Sequence, residues 1–585
     1  MNTLDYLKVT VEEIENGVKD EFGAVYSADG KRLLKFENGD LKEYSIKEGT
    51  VYICDEAFYY FSFSLKKINI PDSVTHIGRN AFNFELKNIN LPKYVTFIDR
   101  NPFAECKKIK IKSSSSRFIV VSDMLIDKDE KRLVSYLGND DKVDIPDFIN
   151  IIGDYAFKEK SIKSINIPDS VTRIGDYAFY FCFFKKIHLP NSITEIGEGA
   201  FNCCDELKSI NIPNSVTEIK KDTFERTSFK EINIPDSVTE IGEGAFSESK
   251  LQKVHLPDSL TKIGKYAFSE CKLQEVHLPD SLTEIEDFAF SGCTSLTKIN
   301  LPDSITKIGN NVFYKSQKLK DFCIPKNVTH IGASPFAYFK EYNITSKSSR
   351  FVIIDNMLID NTKNHLISYW GNEEEFSIPD YINIIGNDAF INSKLIKINI
   401  PDSVAEIGKD AFYDCKYLKK INIPDSITKI SDHAFYNCKS LKEIHLPNSI
   451  TEIGGDAFFH CKSLKQINIP DSVTEIGYFA FSNCTSLTEI IIPNSVTKID
   501  FWAFSFCNSL KKIIIPDSIT ELHDAVFFSC ANLEEVSIPD SVIYISSNAF
   551  HHCKKLKTIN IPANTKERFA KMLPDWGKRL KEVDY

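Results

Sequence analysis

The amino-acid sequence predicts a β-rich solenoid, a curved right-handed stack of 23–24 short coils. Three observations carry that prediction. A unit of 22 or 23 residues recurs almost to the C-terminus, and Ser463 to Thr485, SLKQINIPDSVTEIGYFAFSNCT, is one copy. A proline returns in one slot of the unit, at Pro470, Pro493, Pro516, Pro539 and Pro562. Two longer spacings, Lys112 to Pro146 and Thr345 to Pro379, are 34 residues each and hold matching inserts. A fixed period of this length means stacked units, each too small to bury its own apolar face.

Within the unit, Leu464, Ile467 and Ile469 alternate with Gln466 and Asn468 as a half-buried strand does. Pro470 has no N–H to give a ladder, so the strand ends there, and Asp471 and Ser472 supply turn chemistry. Val473 and Ile476 return to the core as a second, shorter extended segment, and Gly477 opens a backbone conformation closed to residues with a Cβ. Tyr478 to Asn483 reads as one helical turn, with Ala480 small and Phe481 the main core filler. Leucine-type positions at this spacing define a leucine-rich-repeat solenoid, β-rich with short helical turns.

Taken as a ruler, the proline slot gives 23 strand ends between Lys47 and Pro562. The inserts RFIVVSDMLIDKDEKRLVSYLGN and RFVIIDNMLIDNTKNHLISYWGN match at an offset of 233, which points to duplication of a block. AVYSADGKRLLKF near the N-terminus aligns with the first of them, and Asp29-Gly30 between apolar runs reads as a hairpin turn. Three β-hairpin inserts, projecting near 25–36, 125–136 and 358–369, are therefore expected. The expected organisation is an N-terminal cap with the first hairpin over 1–46 and coils over 47–117, 146–350 and 379–562. Hairpin inserts fall at 118–145 and 351–378, and a helical cap at 563–585. Leu7 to Val11 reads as a capping strand. Asn564 and Glu567 have capping-box spacing ahead of Phe569, Met572 and Leu573 on one helical face, with Trp576, Leu580 and Val583 continuing the cover.

A net charge of −10 is mild for 585 residues and argues against nucleic acid as a partner, since phosphate binding needs a basic stripe. No stretch approaches 18 consecutive apolar residues, so no membrane span is expected, and neither a secretory signal nor an anchor is visible. Twelve of the fifteen cysteines fall three residues after the unit's phenylalanine, Cys484 among them. In-register neighbours about 4.8 Å apart suit packed, reduced thiols better than disulfides, whose Cβ atoms sit near ~3.8 Å. Metal and cofactor are not expected.

The unit L-K-x-I-x-I-P-D-S-V-T-x-I-G-x-x-A-F-x-x-C resembles the BspA-type leucine-rich repeat family of bacterial and protist proteins. The insert MLIDKDEKRLVSY and the tail NTKERFAKMLPDW are similar to that family's recurrent insert and ending. The resemblance covers nearly the whole chain. It implies a non-enzymatic protein-binding scaffold, adhesin-like in function; the alternative is an intracellular scaffold or an effector exported without a classical signal, and a monomer is expected.

The chain shows no HExxH, GxSxG, P-loop or GxGxxG pattern, and repetition puts its Ser, His and Asp in equivalent surface slots that do not converge. The outward strand position carries a column of Asn and His, including His255 and His277, and the column beside it alternates Lys253, Glu275 and Lys298. Both read as a solvated, cross-strand-paired face. The pattern breaks at one place. The residue before Ala-Phe, usually Asp, Gly or Asn, becomes Phe479 and Trp502, preceded by Tyr478 and Phe501, while the Asn/His column turns into Ile491 and Ile514. Clustered exposed apolar side chains are what binding surfaces use. These six are the candidate partner-binding residues, with Tyr266 and Phe288 a weaker pair.

Overall fold

The computed structural model describes residues 3–59, 64–82, 86–106, 109–336 and 343–584. The chain folds as a β-solenoid and divides into two units, Met1–Ser304 and Ile305–Tyr585. Each unit is built from the same coil.

In the reference coil the first strand is Gln466–Asn468, with Leu464, Ile467 and Ile469 buried between its exposed residues. It pairs in parallel with the next coil, Ile467 beside Ile490 and Asn468 beside Ile491. Pro470 ends it, and the Ser472 hydroxyl donates to the Ile450 carbonyl one coil back at 2.6 Å. Glu475–Ile476 forms a second parallel ladder, Ile476 beside Ile499.

The segment after Gly477 is not a helical turn. It is a run of tight turns closed by Ala480 N–H to Gly477 O, Ser482 N–H to Phe479 O and Cys484 N–H to Phe481 O. Phe479 and Asn483 have φ of 52° and 60°. These left-handed residues rotate the peptide planes so that the N–H groups of 479, 481 and 483 donate to residues 501, 503 and 505 of the next coil at 2.8–3.0 Å. A helix would have spent those donors on its own carbonyls. Gly477 does not take up the unusual φ; it lets two backbones approach, since a Cβ there would lie 2.6 Å from Gly455 N.

Inside each unit the phenylalanines stack in file. In the second, Phe435, Phe458, Phe481, Phe504 and Phe527 have neighbouring centroids 5.3–5.5 Å apart. None of the fifteen cysteines, all of them described residues, is joined in a disulfide. The slot thiols donate back one coil, as Cys484 Sγ does to Phe458 O at 3.2 Å, and burial pushes the Cys484 pKa well above the usual thiol range.

The inserts are part of the core and do not project. Phe118–Val121, Met124–Asp127 and Arg132–Tyr136 pair antiparallel. The third of these strands then joins the second ladder in parallel, Leu133 beside Ile152. Ser122 and Asp123, both at positive φ, make the two-residue turn whose twist suits a hairpin. Phe351–Ile354, Met357–Asp360 and His365–Tyr369 repeat the arrangement. Each middle strand is buried on both faces, and its last carboxylate meets an arginine, Arg117–Asp127 and Arg350–Asp360, both at 2.7 Å.

The ends differ from the sequence expectations. Val11–Glu15 is a short helix with Thr10 and Glu13 in a capping box, where a strand was expected over Leu7 to Val11; Leu7 is buried and its carbonyl accepts from Asp55 N–H. At the other end Lys566–Met572 is helical, but Asn564 sits at positive φ and Thr565 takes the cap position without a side-chain cap bond. Leu580–Val583 then adds as a last parallel strand beside Thr558–Pro562.

Candidate functional site

On the second unit the outward residues of the first strands form a groove of about 700 Å3. Its floor is one column, Asn399, Asn422, His445, Asn468 and Ile491, flanked by Lys397, Lys420, Glu443, Gln466 and Glu489. Alternate side chains of a strand stand on opposite faces, so every Asn in this column faces out while its isoleucine neighbours fill the core. Charges pair across strands, Lys397 with Glu375 at 3.2 Å and Lys512 with Glu535 at 2.6 Å. In the first unit Glu231 holds both Lys253 and His255, at 3.1 and 2.8 Å.

Ile491 closes one end of the groove at 66% exposure, and Ile514, one coil on in the same column, is 68% exposed. Coil for coil after the inserts, they stand where the first block has His255 and His277. The ladder accepts either type, so the fold does not require isoleucine there.

The four aromatics lie on the turn segment, away from this column. Tyr478 is 42% and Phe501 49% exposed. A Cβ at Gly455 would run into the Tyr478 ring, so this glycine makes the ring's seat. Phe501 lies 5.1 Å from the His523 ring. Phe479 and Trp502 are half-buried and stack on each other at 5.7 Å and 18°. They belong to a longer ribbon: Tyr413, Tyr436, Phe459, Phe479, Trp502 and Phe528 follow one another with centroids 4.5–6.1 Å apart. Most of these rings occupy the slot after the core phenylalanine. In the two central coils that slot holds buried Ser482 and Ser505, hydroxyl to hydroxyl at 2.7 Å, and the ring moves to the slot before Ala-Phe. Tyr266 and Phe288 likewise stack, at 4.9 Å.

The slot before Ala-Phe is left-handed in five successive coils, with φ of 56° at Asp410, 54° at His433, 52° at Asp456, 52° at Phe479 and 61° at Trp502. His433 stands between two carboxylates, 3.6 Å from Asp410 and 3.6 Å from Asp456. The Asp456 carboxylate foremost, with Asp410 and Asp432 adding to it, raises its pKa despite burial. Burial raises Asp410, and lifts Asp388 to about 6. Among the described residues no group of three or more His, Cys, Asp or Glu side chains is placed to hold a metal ion, and no helix is long and apolar enough to cross a membrane.

Two exposed apolar sites escaped the sequence reading. Ile543 and Tyr544 stand out of the second ladder where the unit has Thr and Glu or Lys, so SVIYIS in place of SVTEIG was a readable signal. Phe181 and Phe183, 5.8 Å apart in the first unit, come from the aromatic run YFCFF, whose exposed members no periodicity separates from its buried Phe184.

Stacked coils with inward leucine-type residues and an outward polar column define a leucine-rich-repeat scaffold. The model of the BspA type leucine rich repeat region matches in six copies, over 35–125, 135–251, 239–365, 363–484 and 453–571, and the chain belongs to that family. No curated protein matches. Among solved structures, a leucine rich cell surface protein of Faecalibacterium prausnitzii is 32% identical, with 64% of this chain and 92% of that one covered and a TM-score of 0.42. A leucine-rich repeat protein of Bacteroides ovatus is 25% identical over 80% of this chain and 98% of its own, TM-score 0.32. One from Eubacterium ventriosum is 24% identical over 63% and 83%, TM-score 0.40.

Proposed function

We propose that the chain is a non-enzymatic protein-binding scaffold, adhesin-like in the way its family resemblance implies. Ile491, Ile514 and the aromatic group Tyr478, Phe479, Phe501 and Trp502 contribute to the partner surface. The observation that carries the reading is the pair of isoleucines. Two large apolar side chains about two-thirds exposed, side by side in an otherwise polar column, gain the fold nothing, because the duplicated block holds histidines in their place. Buried in a complex, each supplies roughly 1.5–3 kcal/mol.

The test is the variant Ile491→Asn/Ile514→Asn, which restores the residue found elsewhere in the column. Proteins captured on the native chain are identified and then titrated against both forms. Binding weakened at least tenfold with an unchanged melting temperature supports the reading. Equal affinity for the two forms refutes the assignment of this surface.

A further inference from the structure

A second groove lies on the strand face of the first unit, just before the insert at 118. Strands Lys67–Asn69, Asn88–Leu91 and Lys110–Ser113 run in parallel, with Asn88 between Lys67 and Lys110 and Asn90 beside Lys112. Their outward side chains floor a cleft of about 350 Å3. Lys67 is neutralised by Glu43 at 2.5 Å. Among the described residues no carboxylate lies within ion-pairing distance of Lys110 or Lys112. In the column of Lys110, Lys253 and Lys397 each find one, while Lys420 has none among the described residues.

The scaffold does not ask for these cations. The strands 233 residues on, Asp321–Ile324 and Asn343–Ser346, keep the same pairing ahead of the second insert. There Asn343 and Thr345 replace Lys110 and Lys112, and Asp321 replaces Asn88. At these two positions the first block thus presents unpaired ammonium groups and its duplicate presents uncharged side chains.

The asparagines narrow the chemistry. In the column of Asn69 and Asn90, the Asn211 amide accepts from the Leu189 N–H at 2.9 Å and donates to the Leu189 carbonyl at 2.7 Å. Asn422 does the same to Ile400 at 2.9 and 2.7 Å. An asparagine in this slot can therefore read a backbone amide with both its donor and its acceptor, while Asn69 spends its donor on Glu43 and Ser45. A phosphate or sulfate group only accepts, and by itself gives the amide oxygen no partner. Lys110 and Lys112 stand two residues apart on one strand face, roughly 6.6–6.8 Å along it, the spacing of alternate side chains in an extended peptide.

We propose that this groove docks an extended acidic segment of a partner polypeptide, Asn90 pairing with its backbone and Lys110 and Lys112 with alternate carboxylates. The inference rests on the protein-binding reading only in taking a polypeptide as ligand. It concerns a different unit from the isoleucine surface.

The probe is a capped, fluorescein-labelled octapeptide of alternating Glu and Ala, titrated by anisotropy against the full chain at low and at physiological salt. A heparin-derived hexasaccharide and a ten-residue oligothymidylate serve as competitors. Expected are saturable binding that weakens with salt, and at least a tenfold loss in Lys110→Glu/Lys112→Glu with the melting temperature unchanged. Lys253→Glu/Lys298→Glu should bind as the native chain does. Asp321→Asn/Cys323→Asn/Asn343→Lys/Thr345→Lys should add a second site. The proposal is overturned if the peptide does not bind, if charge reversal at 110 and 112 leaves its affinity intact, or if either competitor binds these lysines more tightly. Such a result alongside intact Ile491- and Ile514-dependent partner binding removes this groove and leaves the protein-binding reading standing. A glycan held here, with no protein held by the isoleucine surface, removes both.

Discussion

Replacing Phe479 and Trp502 together by asparagine separates a binding role from a packing role. Both residues sit at left-handed φ, 52° and 61°, where a side chain with a Cβ costs roughly 1–2 kcal/mol and asparagine is better tolerated. Asn80 and Asn311 hold the same slot in other coils at 47° and 50°. The substitution removes the ring contacts Phe459–Phe479, Phe479–Trp502 and Trp502–Phe528, worth about 0.5–1.5 kcal/mol each, and the burial of two half-exposed rings, about 1 kcal/mol each. Against that loss of about 5 kcal/mol stands a backbone relief of about 1 kcal/mol per site. The net is roughly 3 kcal/mol, which in a unit of this size lowers the melting temperature by about 6 °C. The assay pairs thermal unfolding with titration of identified partners. Weakened binding with a shift of that size or smaller supports the surface. A fall beyond about 12 °C would show that the rings are chiefly packing, and unchanged binding in a stable variant would refute the assignment as well.

Phe481 is wholly buried between Phe458 and Phe504, so Phe481→Ala should cost about 3–5 kcal/mol. Because coils couple to their neighbours, hydrogen exchange should accelerate roughly 100-fold or more around residues 458–504 and hardly at all in 150–250; uniform loss of protection would contradict nearest-neighbour coupling. The coils holding Asp388, Asp410 and His433 should be tighter at pH 5.5 than at pH 8. Burial raises both carboxyls, Asp388 to about 6, so the folded state holds protons that the unfolded chain releases above about 4. Stability from these groups therefore falls as pH rises through their folded values. His433, also raised, contributes below its usual value near ~6.5 and loses that contribution as pH climbs through the folded one. Exchange corrected for intrinsic rates should show the window, and His433→Gln should flatten its upper part; identical protection at the two pH values would refute the argument.

The strands were legible because proline cannot donate to a ladder and side chains on a strand alternate, so I-x-I-P placed both the edge and the facing of nearly every coil. The turn segment was not. Ala480, Phe481 and Cys484 sit at spacings that one helical turn and a run of β-turns satisfy equally over six residues. What separates the two is positive φ, and its trace in sequence is the Asp, Asn, His and Gly before Ala-Phe and before Cys, as at Asp410, Asp414, Asn437 and Asn483. Reading those residues as solvent-facing polarity missed their backbone role and made Phe479 and Trp502 look simply exposed. Their half-burial depends on Phe459 and Phe528, which reach them from a different slot in neighbouring coils. No pattern along one unit contains that information.

The duplication supplies what a single unit cannot. Where both blocks keep a pair, as Arg117–Asp127 and Arg350–Asp360 do, a carboxylate is buried in the insert's middle strand, and losing its guanidinium would strip that charge of its nearest cation, with Arg132 at 3.8 Å left to Asp127. The identity of such a pair is set by the scaffold. Where the blocks differ at an outward position, as Lys110 against Asn343 or Ile491 against His255, the same ladder holds both residues in the same register. Backbone pairing and core packing are indifferent to such a position, so the side chain there is free to meet a partner. By that criterion the two grooves rest on the same ground. Each is marked by a departure of one block from the other, apolar in the second unit and cationic in the first, and neither departure is explained by the coil that carries it.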